Sequence, residues 1–300
     1  MTAVNRANIF DIKRFGIHDG VGIRTVFFIK GCPLRCHWCQ NPEGFLQSIR
    51  IWCMRRSCLR CKNCIEVCPE KILNFDEQGV KTSEDCKRCG ACVSICPAGA
   101  LRFDAKTMNV AEALTEIEKD RVFYEISGGG VTLSGGECTM SSQFSLELLT
   151  ACRELGIGTA IETCLYTHPE VMHLFHLVSD RIIADIKLAD PSAHRAATGV
   201  DNKLILENLR MLTETDCDLL IRIPLIPGFT ATEKNIREIG VLIAGLPRRV
   251  PVEVVHFNPM CREKYEMLDI DYPVKQLIPL DKTQINMYKE LLTSYGLQVL

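Results

Sequence analysis

Clustered cysteines are the feature that most constrains this chain. It has 17 cysteines in 300 residues, and 11 of them fall in three tight clusters between Cys32 and Cys96. The N-terminal residues are polar and lack the apolar core of a signal peptide, so the protein is expected in the cytoplasm. In that reducing compartment, clustered cysteines favour metal thiolates over disulfides. The other six are scattered, as ordinary buried thiols are: Cys53, Cys138, Cys152, Cys164, Cys217 and Cys261.

The first cluster has the spacing C-x3-C-x2-C and consists of Cys32, Cys36 and Cys39 on a predicted loop. Three thiolates that hold a four-iron cluster leave one iron without a protein ligand, and an open metal position is typical of catalysis. Two other interpretations stay open: a structural zinc site with a remote ligand such as His37, or three coincidental thiols. The spacing favours the catalytic iron–sulfur cluster.

The second and third clusters repeat the pattern C-x2-C-x2-C-x3-C-P, which is typical of bacterial two-cluster ferredoxins. In that pattern the fourth cysteine of each run ligates the other cluster, and Cys53 is left over as an unligated thiol. Two fully ligated clusters suit electron relay; the alternative is a structural role in an insert with little apolar core. The predicted 4Fe–4S ligand sets are Cys58, Cys61, Cys64 and Cys96, and Cys86, Cys89, Cys92 and Cys68.

Strand–helix alternation organises the rest of the chain and predicts an α/β fold with a parallel sheet covered by helices. We count about six strands, fewer than the eight of a closed barrel, so a partial parallel β/α barrel is expected. Residues 50–105 interrupt it as a ferredoxin-like insert, which leaves 1–49 and 106–300 for the barrel. The strands are predicted near residues 25–30, 130–134, 158–162, 181–187, 219–224 and 252–257, and the helices near 110–120, 144–155, 169–178, 204–212 and from 232.

Polar residues follow these strands at their carboxyl ends, where the chemistry of parallel α/β sheets lies. Gly135 and Gly136 allow a close backbone approach to a ligand, or form a plain tight turn. Asp185 and Lys187 project the same way from one strand and could bind a ligand or form a structural ion pair. The other candidates at strand ends are Glu137, Glu162, Thr163, Arg222 and the segment from His256 to Cys261.

Composition argues against two kinds of partner. The net charge of -2 gives no electrostatic footprint for nucleic acid or for an anionic membrane surface. The most apolar stretch, residues 219–229, contains Arg222, Pro224 and Pro227 and is not expected to span a membrane. We therefore expect neither a nucleic-acid partner nor a membrane partner.

Motifs along nearly the whole chain resemble those of glycyl-radical enzyme activating enzymes, a family that includes pyruvate formate-lyase activase. The spacing of Cys32, Cys36 and Cys39 is the signature of the radical S-adenosylmethionine superfamily, and residues 9–43 are similar to the family's N-terminal signature, including Trp38. The likeness continues through Ser134-Gly-Gly-Glu137, Glu162-Thr163, Asp185-Ile-Lys187, Ile221-Arg-Ile-Pro-Leu-Ile-Pro-Gly228 and Lys264-Tyr265.

The resemblance implies an oxidoreductase and its reaction. S-adenosylmethionine would chelate the open iron, and a one-electron reduction would cleave it to methionine and a 5′-deoxyadenosyl radical. That radical would abstract a hydrogen atom from the Cα of one glycine in a partner glycyl-radical enzyme. A flavodoxin or ferredoxin would supply the electron, and the three 4Fe–4S clusters would be the resident cofactors.

The resemblance also implies roles for residues. The segment matching Gly135, Gly136 and Glu137 contacts the methionine amino group in relatives, and residues matching Asp185 and Lys187 lie by its carboxylate. In relatives, the residue matching Asp185 helps an Asp-Thr pair to hold a monovalent cation, and that pair would be Glu162-Thr163 here. The resemblance suggests that Arg222 steers substrate or cofactor; a salt bridge at the barrel rim is the alternative. The cofactor-binding candidates are Trp38, Gly135, Gly136, Glu137, Glu162, Thr163, Asp185 and Lys187, and the catalytic candidates are Cys32, Cys36, Cys39 and Arg222.

Two departures from the family pattern matter. Cys138 stands where relatives commonly carry proline, and Asn258-Pro-Met-Cys261 stands where many carry Leu-Pro-Tyr-His. No cofactor histidine is therefore carried over, and His256 is expected in the core or at the rim.

Two alternative functions stay open beside activation of a glycyl-radical enzyme. The first is a radical enzyme that acts on a small molecule or another protein site, which the N-terminal signature disfavours. The second is a ferredoxin-type electron carrier, in which Glu137, Asp185 and Lys187 would have no purpose.

Overall fold

The computed structural model describes residues 5–76, 79–82 and 85–300. In chain order, its strands and α-helices are β1 (Arg6–Gly16), β2 (Arg24–Ile29), β3 (Ile51–Cys53), α1 (Asn63–Val67), β4 (Leu73–Asp76), β5 (Gly79–Thr82), α2 (Ala91–Ser94), β6 (Leu101–Phe103), β7 (Lys106–Asn109), α3 (Val110–Glu118), α4 (Arg121–Ser127), β8 (Gly130–Gly135), α5 (Ser142–Glu154), β9 (Gly158–Thr163), α6 (Pro169–Val178), β10 (Arg181–Asp185), α7 (Pro191–Thr198), α8 (Lys203–Thr213), β11 (Asp218–Leu225), α9 (Glu233–Ala244), β12 (Val252–His256), α10 (Arg262–Leu268) and α11 (Lys282–Thr293).

Six parallel strands form the body of the main sheet, in the order β2-β8-β9-β10-β11-β12. Each strand therefore pairs with the next parallel strand of the chain, as in an α/β barrel that does not close. The predicted partial barrel of about six parallel strands is confirmed. The sheet also has two strands that the sequence did not predict, because β1 pairs antiparallel with β2 and β7 pairs antiparallel with β1.

A single large apolar core lies between the sheet and its helices. Strand residues such as Leu133, Ile161 and Ile221 are fully buried, which explains why these strands are almost continuously apolar. On α5, Phe144 and Leu148 face the same core, as their helical spacing predicted. Four of the helices form a row of neighbours in space: α3 packs on α5, α5 on α6, and α6 on α8.

The segment between β3 and β6 closes on itself. β3 pairs antiparallel with β6, Ile51 opposite Phe103 and Cys53 opposite Leu101, so the two ends of the segment lie together. Its small core joins a few apolar residues to cysteines of the second and third clusters. Lys30, at the end of β2, forms a fully buried ion pair of 2.6 Å with Asp104, just beyond β6. This pair ties the closed segment to the strand that leads into the first cysteine cluster.

Among the residues described, no helix combines the length and the hydropathy that a membrane crossing would need.

Candidate active site

The loop after β2 carries Cys32, Cys36 and Cys39, and all three line one cavity of about 240 Å³ at the carboxyl end of the parallel strands. Backbone hydrogen bonds hold the loop to the end of α7. The amide of Arg35 donates to the carbonyl of Thr198 at 2.6 Å, and the next alternate amide, of His37, donates to that of Ala197. The loop is thus connected to the sheet through β2, which it follows directly, and to α7 through these two hydrogen bonds.

Helix α10 holds the other side of this loop. The Tyr265 hydroxyl donates a hydrogen bond of 2.8 Å to the carbonyl of Cys39. Lys264 forms an ion pair of 2.6 Å with Glu43 and donates to the side-chain oxygen of Asn41 at 3.1 Å. The Lys264-Tyr265 pair therefore positions the cysteine loop and does not reach the cavity itself.

The thiols fit a thiolate-bound cluster better than a single metal ion. Burial raises the pKa of Cys36 to about 12 and that of Cys39 well above its ordinary value, so each thiolate needs a cationic partner. Across the described parts of the chain, no three Cys, His, Asp or Glu side chains converge as ligands of one ion would. Thiolates of a four-iron cluster bind different irons and stand farther apart. The ring of His37 packs edge-on against Phe229 outside the cavity, so His37 is not the fourth ligand of a zinc site there.

Gly135 and Gly136 bring the end of β8 against the cysteine loop. Gly135 has a φ of +116°, and a Cβ on Gly136 would stand 2.5 Å from the carbonyl oxygen of Gly31 and 2.6 Å from that of Gly44. Both glycines also line the cavity. A backbone contact this close requires glycine, so the pair is more than an ordinary tight turn.

Glu137 lies behind the cavity wall, and it is 1% exposed. Its carboxylate accepts hydrogen bonds from the Thr139 amide at 3.1 Å, the Thr163 hydroxyl at 2.9 Å and the Cys164 amide at 2.7 Å. Glu137 is not part of the cavity lining, and its hydrogen bonds to Thr163 and Cys164 hold the end of β9 in place.

Arg222 and Glu162 form an ion pair in the cavity wall. Glu162 also accepts from the Ser134 hydroxyl at 2.6 Å, and Arg222 donates to Glu253 at 2.8 Å and to the carbonyl of His18 at 2.7 Å. Burial raises the pKa of Glu162, and the positive charge of Arg222 opposes that effect. One guanidinium thus joins β9, β11, β12 and the β1–β2 loop.

Lys187 and Asp185 form a second ion pair, of 3.1 Å, in the same cavity. Burial alone would lower the pKa of Lys187, but Asp185 and the thiols of Cys36 and Cys164 hold it above its usual value. A fixed ammonium and a carboxylate side by side match the two charges of an amino acid head group.

Comparisons with known proteins identify the family. The Radical SAM superfamily matches residues 26–239. The (2S)-3-sulfopropanediol dehydratase activating enzyme of Klebsiella oxytoca is 38% identical over 295 residues, which cover 96% of this chain and 93% of the relative. The choline trimethylamine-lyase activating enzyme of Oleidesulfovibrio alaskensis is 36% identical over 303 residues, or 98% of this chain and 97% of the relative. The chain belongs to the glycyl-radical enzyme activating enzymes.

The resemblance read from the sequence is therefore confirmed. This activating enzyme is an oxidoreductase that cleaves S-adenosylmethionine reductively and acts on a partner glycyl-radical enzyme. A radical SAM methyltransferase from Sphaerobacter thermophilus shares the fold, with a TM-score of 0.50 and 15% identity over 64% of this chain and 55% of that one.

The activating enzyme brings nearly all of the predicted site residues to one cavity; Glu137 is the candidate that lies outside its lining. Sequence reasoning missed Cys164, whose thiol hydrogen-bonds that of Cys32 and lowers its pKa. Its position directly after Glu162-Thr163 was the available signal. His256 lines the cavity as an exposed rim residue, as expected. The predicted residues in the lining are Cys32, Cys36, Trp38, Cys39, Gly135, Gly136, Glu162, Thr163, Asp185, Lys187 and Arg222.

The remaining clustered cysteines of the activating enzyme group around two smaller cavities in the closed segment. The thiols divide between these cavities in the way that the ferredoxin pattern pairs them, with the fourth cysteine of each run beside the other run. One cavity is lined by Cys58, Cys61, Cys64 and Cys96, and the other by Cys68, Cys86, Cys89 and Cys92.

Proposed function

We propose that this activating enzyme binds S-adenosylmethionine in the 240 Å³ cavity, at a 4Fe–4S cluster held by Cys32, Cys36 and Cys39. One observation carries the assignment: three thiols and the Asp185–Lys187 ion pair line the same cavity. When bound, the cluster supplies the electron that cleaves the sulfonium and so produces the radical that takes a hydrogen atom from the partner's glycine.

The protein's own residues would then bind and orient the cofactor. The Lys187 ammonium is suited to the methionine carboxylate, and the backbone at Gly135 and Gly136 is suited to the amino group. Trp38, which is 5% exposed and packs 5.5 Å from the ring of Phe229, would help to exclude water. Arg222 would fix the wall opposite the thiols through Glu162.

We also propose a weak monovalent cation site at Asp185. Of the three residues predicted to hold the cation, Glu162 is bonded to Arg222 and Ser134, and Thr163 donates to Glu137. Asp185 is ion-paired with Lys187 at 3.1 Å, but 39% of its side chain stays accessible. We expect 5′-deoxyadenosine formation to depend only modestly on replacing potassium by a bulky organic cation.

We propose that residues 50–105 form a ferredoxin-like insert with two 4Fe–4S clusters, flanked by a barrel of 1–49 and 106–300. The two four-thiol cavities and the β3–β6 pairing support this division. Residues 1–4, 77–78 and 83–84 lie outside the described residues. The insert would receive electrons from a flavodoxin or ferredoxin and relay them to the cluster on Cys32, Cys36 and Cys39.

The direct test is formation of 5′-deoxyadenosine by anaerobically reconstituted, reduced protein. We expect Cys36→Ala to abolish the product, and Lys187→Met to raise the KM for S-adenosylmethionine by at least about tenfold, since a charged hydrogen bond is lost. Lys203→Met, a change at an exposed helix start, is the matched control. Product formation that survives Cys36→Ala would contradict the proposal.

A further inference from the structure

Helix α10 touches both the cysteine loop of the cavity and the proposed insert. On the loop side, Tyr265 donates 2.8 Å to the carbonyl of Cys39, and Lys264 pairs with Glu43 at 2.6 Å. Asp269, the residue that ends the helix, points the other way. One short helix therefore connects the ligand loop of the first cluster to a second structural unit.

On the insert side, the contacts are ion pairs that all have the same arrangement of charges. Asp269 pairs with Lys81 at 3.0 Å and with Arg55 at 3.3 Å, and Glu263 lies 3.6 Å from Arg56. The acidic groups belong to α10 and its end, and the basic groups to the insert. Such complementarity fixes orientation more than it adds stability, because exposed pairs are each worth little.

The two cysteine groups of the insert are not equivalent with respect to α10. A cavity of about 80 Å³ between the insert and α10 is lined by Cys53, Val80 and Leu101 on one side and by Leu268 on the other. Val80 and Leu101 also line the cavity of the Cys58 group, and Cys53 lies against Cys58 itself. The cavity of the other group shares only Ile51 with this space.

We propose that α10 positions the insert for electron transfer, with Asp269 as the positioning residue and the cluster on Cys58, Cys61, Cys64 and Cys96 as the immediate donor. With both clusters bound, one electron would pass from the reduced donor cluster, across β3 and α10, to the cluster on Cys32, Cys36 and Cys39. The donor cluster would be oxidised in that step and reduced again by flavodoxin hydroquinone, which would become the semiquinone. This inference rests on the proposed two-cluster insert.

The substitution Asp269→Asn removes the negative charge of Asp269 without changing the backbone. Asp269 has a φ of +56°, a left-handed conformation that asparagine also tolerates, so the substitution removes both ion pairs without straining the helix end. Asp271→Asn is the matched control, because Asp271 pairs with Lys275 of its own segment at 3.6 Å and forms no ion pair with the described residues of the insert.

The experiment compares two reductants on the full, reconstituted chain. With reduced flavodoxin, we expect Asp269→Asn to lower the maximal rate of 5′-deoxyadenosine formation about fivefold while the KM for flavodoxin stays unchanged, a loss in the range of two exposed ion pairs. With dithionite, a small reductant that reaches the cavity directly, the rate should equal that of the wild type. Asp271→Asn should match the wild type with both.

Equal rates for Asp269→Asn and wild type with flavodoxin would overturn the inference, as would an equal loss with both reductants, which indicates a purely structural defect. The variant Cys61→Ser distinguishes a failure of the inference about α10 from a failure of the proposed electron relay. If Cys61→Ser slows the flavodoxin reaction and Asp269→Asn does not, only the role of α10 fails. If Cys61→Ser has no effect on that reaction, the relay itself fails.

Discussion

Substituting Cys164 tests how many thiolates of the cavity bind the cluster. Its thiol hydrogen-bonds that of Cys32, so a fourth thiol lies beside the three that the spacing selected. We expect Cys164→Ala to keep the cluster and at least about half of the 5′-deoxyadenosine activity, because the ordered contact to Glu137 comes from the Cys164 backbone amide and survives the substitution. Iron content and product formation are the measurements. A variant that loses the cluster as Cys36→Ala does would make Cys164 a ligand and close the open iron.

Glu137 provides a prediction on the stability of the fold. In Glu137→Gln, one carboxylate oxygen becomes an amide donor. It then faces either the Thr139 amide or the Cys164 amide, because these two donors bind different oxygens of Glu137. We expect a loss of about 1–3 kcal/mol in the free energy of unfolding, the cost of an unsatisfied buried polar group. Thermal unfolding measures it, with the exposed Glu154→Gln as control. Equal midpoints for the two variants would show that this carboxylate does not hold β9.

At this scale, the sequence predicted which residues meet but not always what each one touches. Gly135, Asp185 and Lys187 could be assigned to the cavity because parallel strands present their carboxyl ends at one edge. The inward position of Glu137 could not, since it depends on how the loop after β8 turns. Arg222 forms salt bridges, which was the alternative to its predicted steering role, and it forms them in the cavity wall.

At the scale of elements, the contact between β8 and the cysteine loop is the most sensitive to a single atom. We expect Gly136→Ala to destabilise the protein by about 1–3 kcal/mol, as overpacking does, because its Cβ would press on the backbone at Gly31 and Gly44. Cluster retention should fall with it. Gly245→Ala is the control, since its φ of -84° is ordinary and its nearest contact would be 3.4 Å. Unfolding midpoints that do not differ would contradict this contact.

The elements that the sequence missed have identifiable reasons. The sequence did not predict β1, whose pairing with β2 is interrupted by register shifts between Ile9 and Asp11 and between Lys13 and Gly16. α7 is short, although its cap at Asp190 and the following Pro191 were recognisable start signals. α10 has seven residues and depends on tertiary contacts such as that of Tyr265, which no local pattern reveals.

At the scale of the whole molecule, the fully buried Lys30–Asp104 ion pair joins the barrel to the proposed insert. We expect Lys30→Met to cost about 3–5 kcal/mol, because it leaves the Asp104 carboxylate buried without its counter-charge. Lys13→Met removes a half-exposed pair with Asp19 and should cost less than about 1 kcal/mol. Thermal unfolding under anaerobic conditions compares the two variants. A similarly small fall in the unfolding midpoint for both would show that the Lys30–Asp104 pair does not stabilise the junction between barrel and insert.

The proposed division of the chain into barrel and insert was predictable because the cysteine runs differ so sharply from the apolar alternation around them. How the two parts are held together was not, since α10 and the Lys30–Asp104 pair join residues 74 or more positions apart. Long-range contacts of single charges leave no periodic trace in a sequence.

The most direct measurement is electron–nuclear double resonance on the reduced protein with S-adenosylmethionine labelled in its methionine amino and carboxylate groups. We predict hyperfine coupling of the labelled atoms to an iron–sulfur cluster, retained in Cys61→Ser and abolished in Cys36→Ala. A reduced protein that holds the iron of its clusters and shows no such coupling would contradict the open iron at Cys32, Cys36 and Cys39.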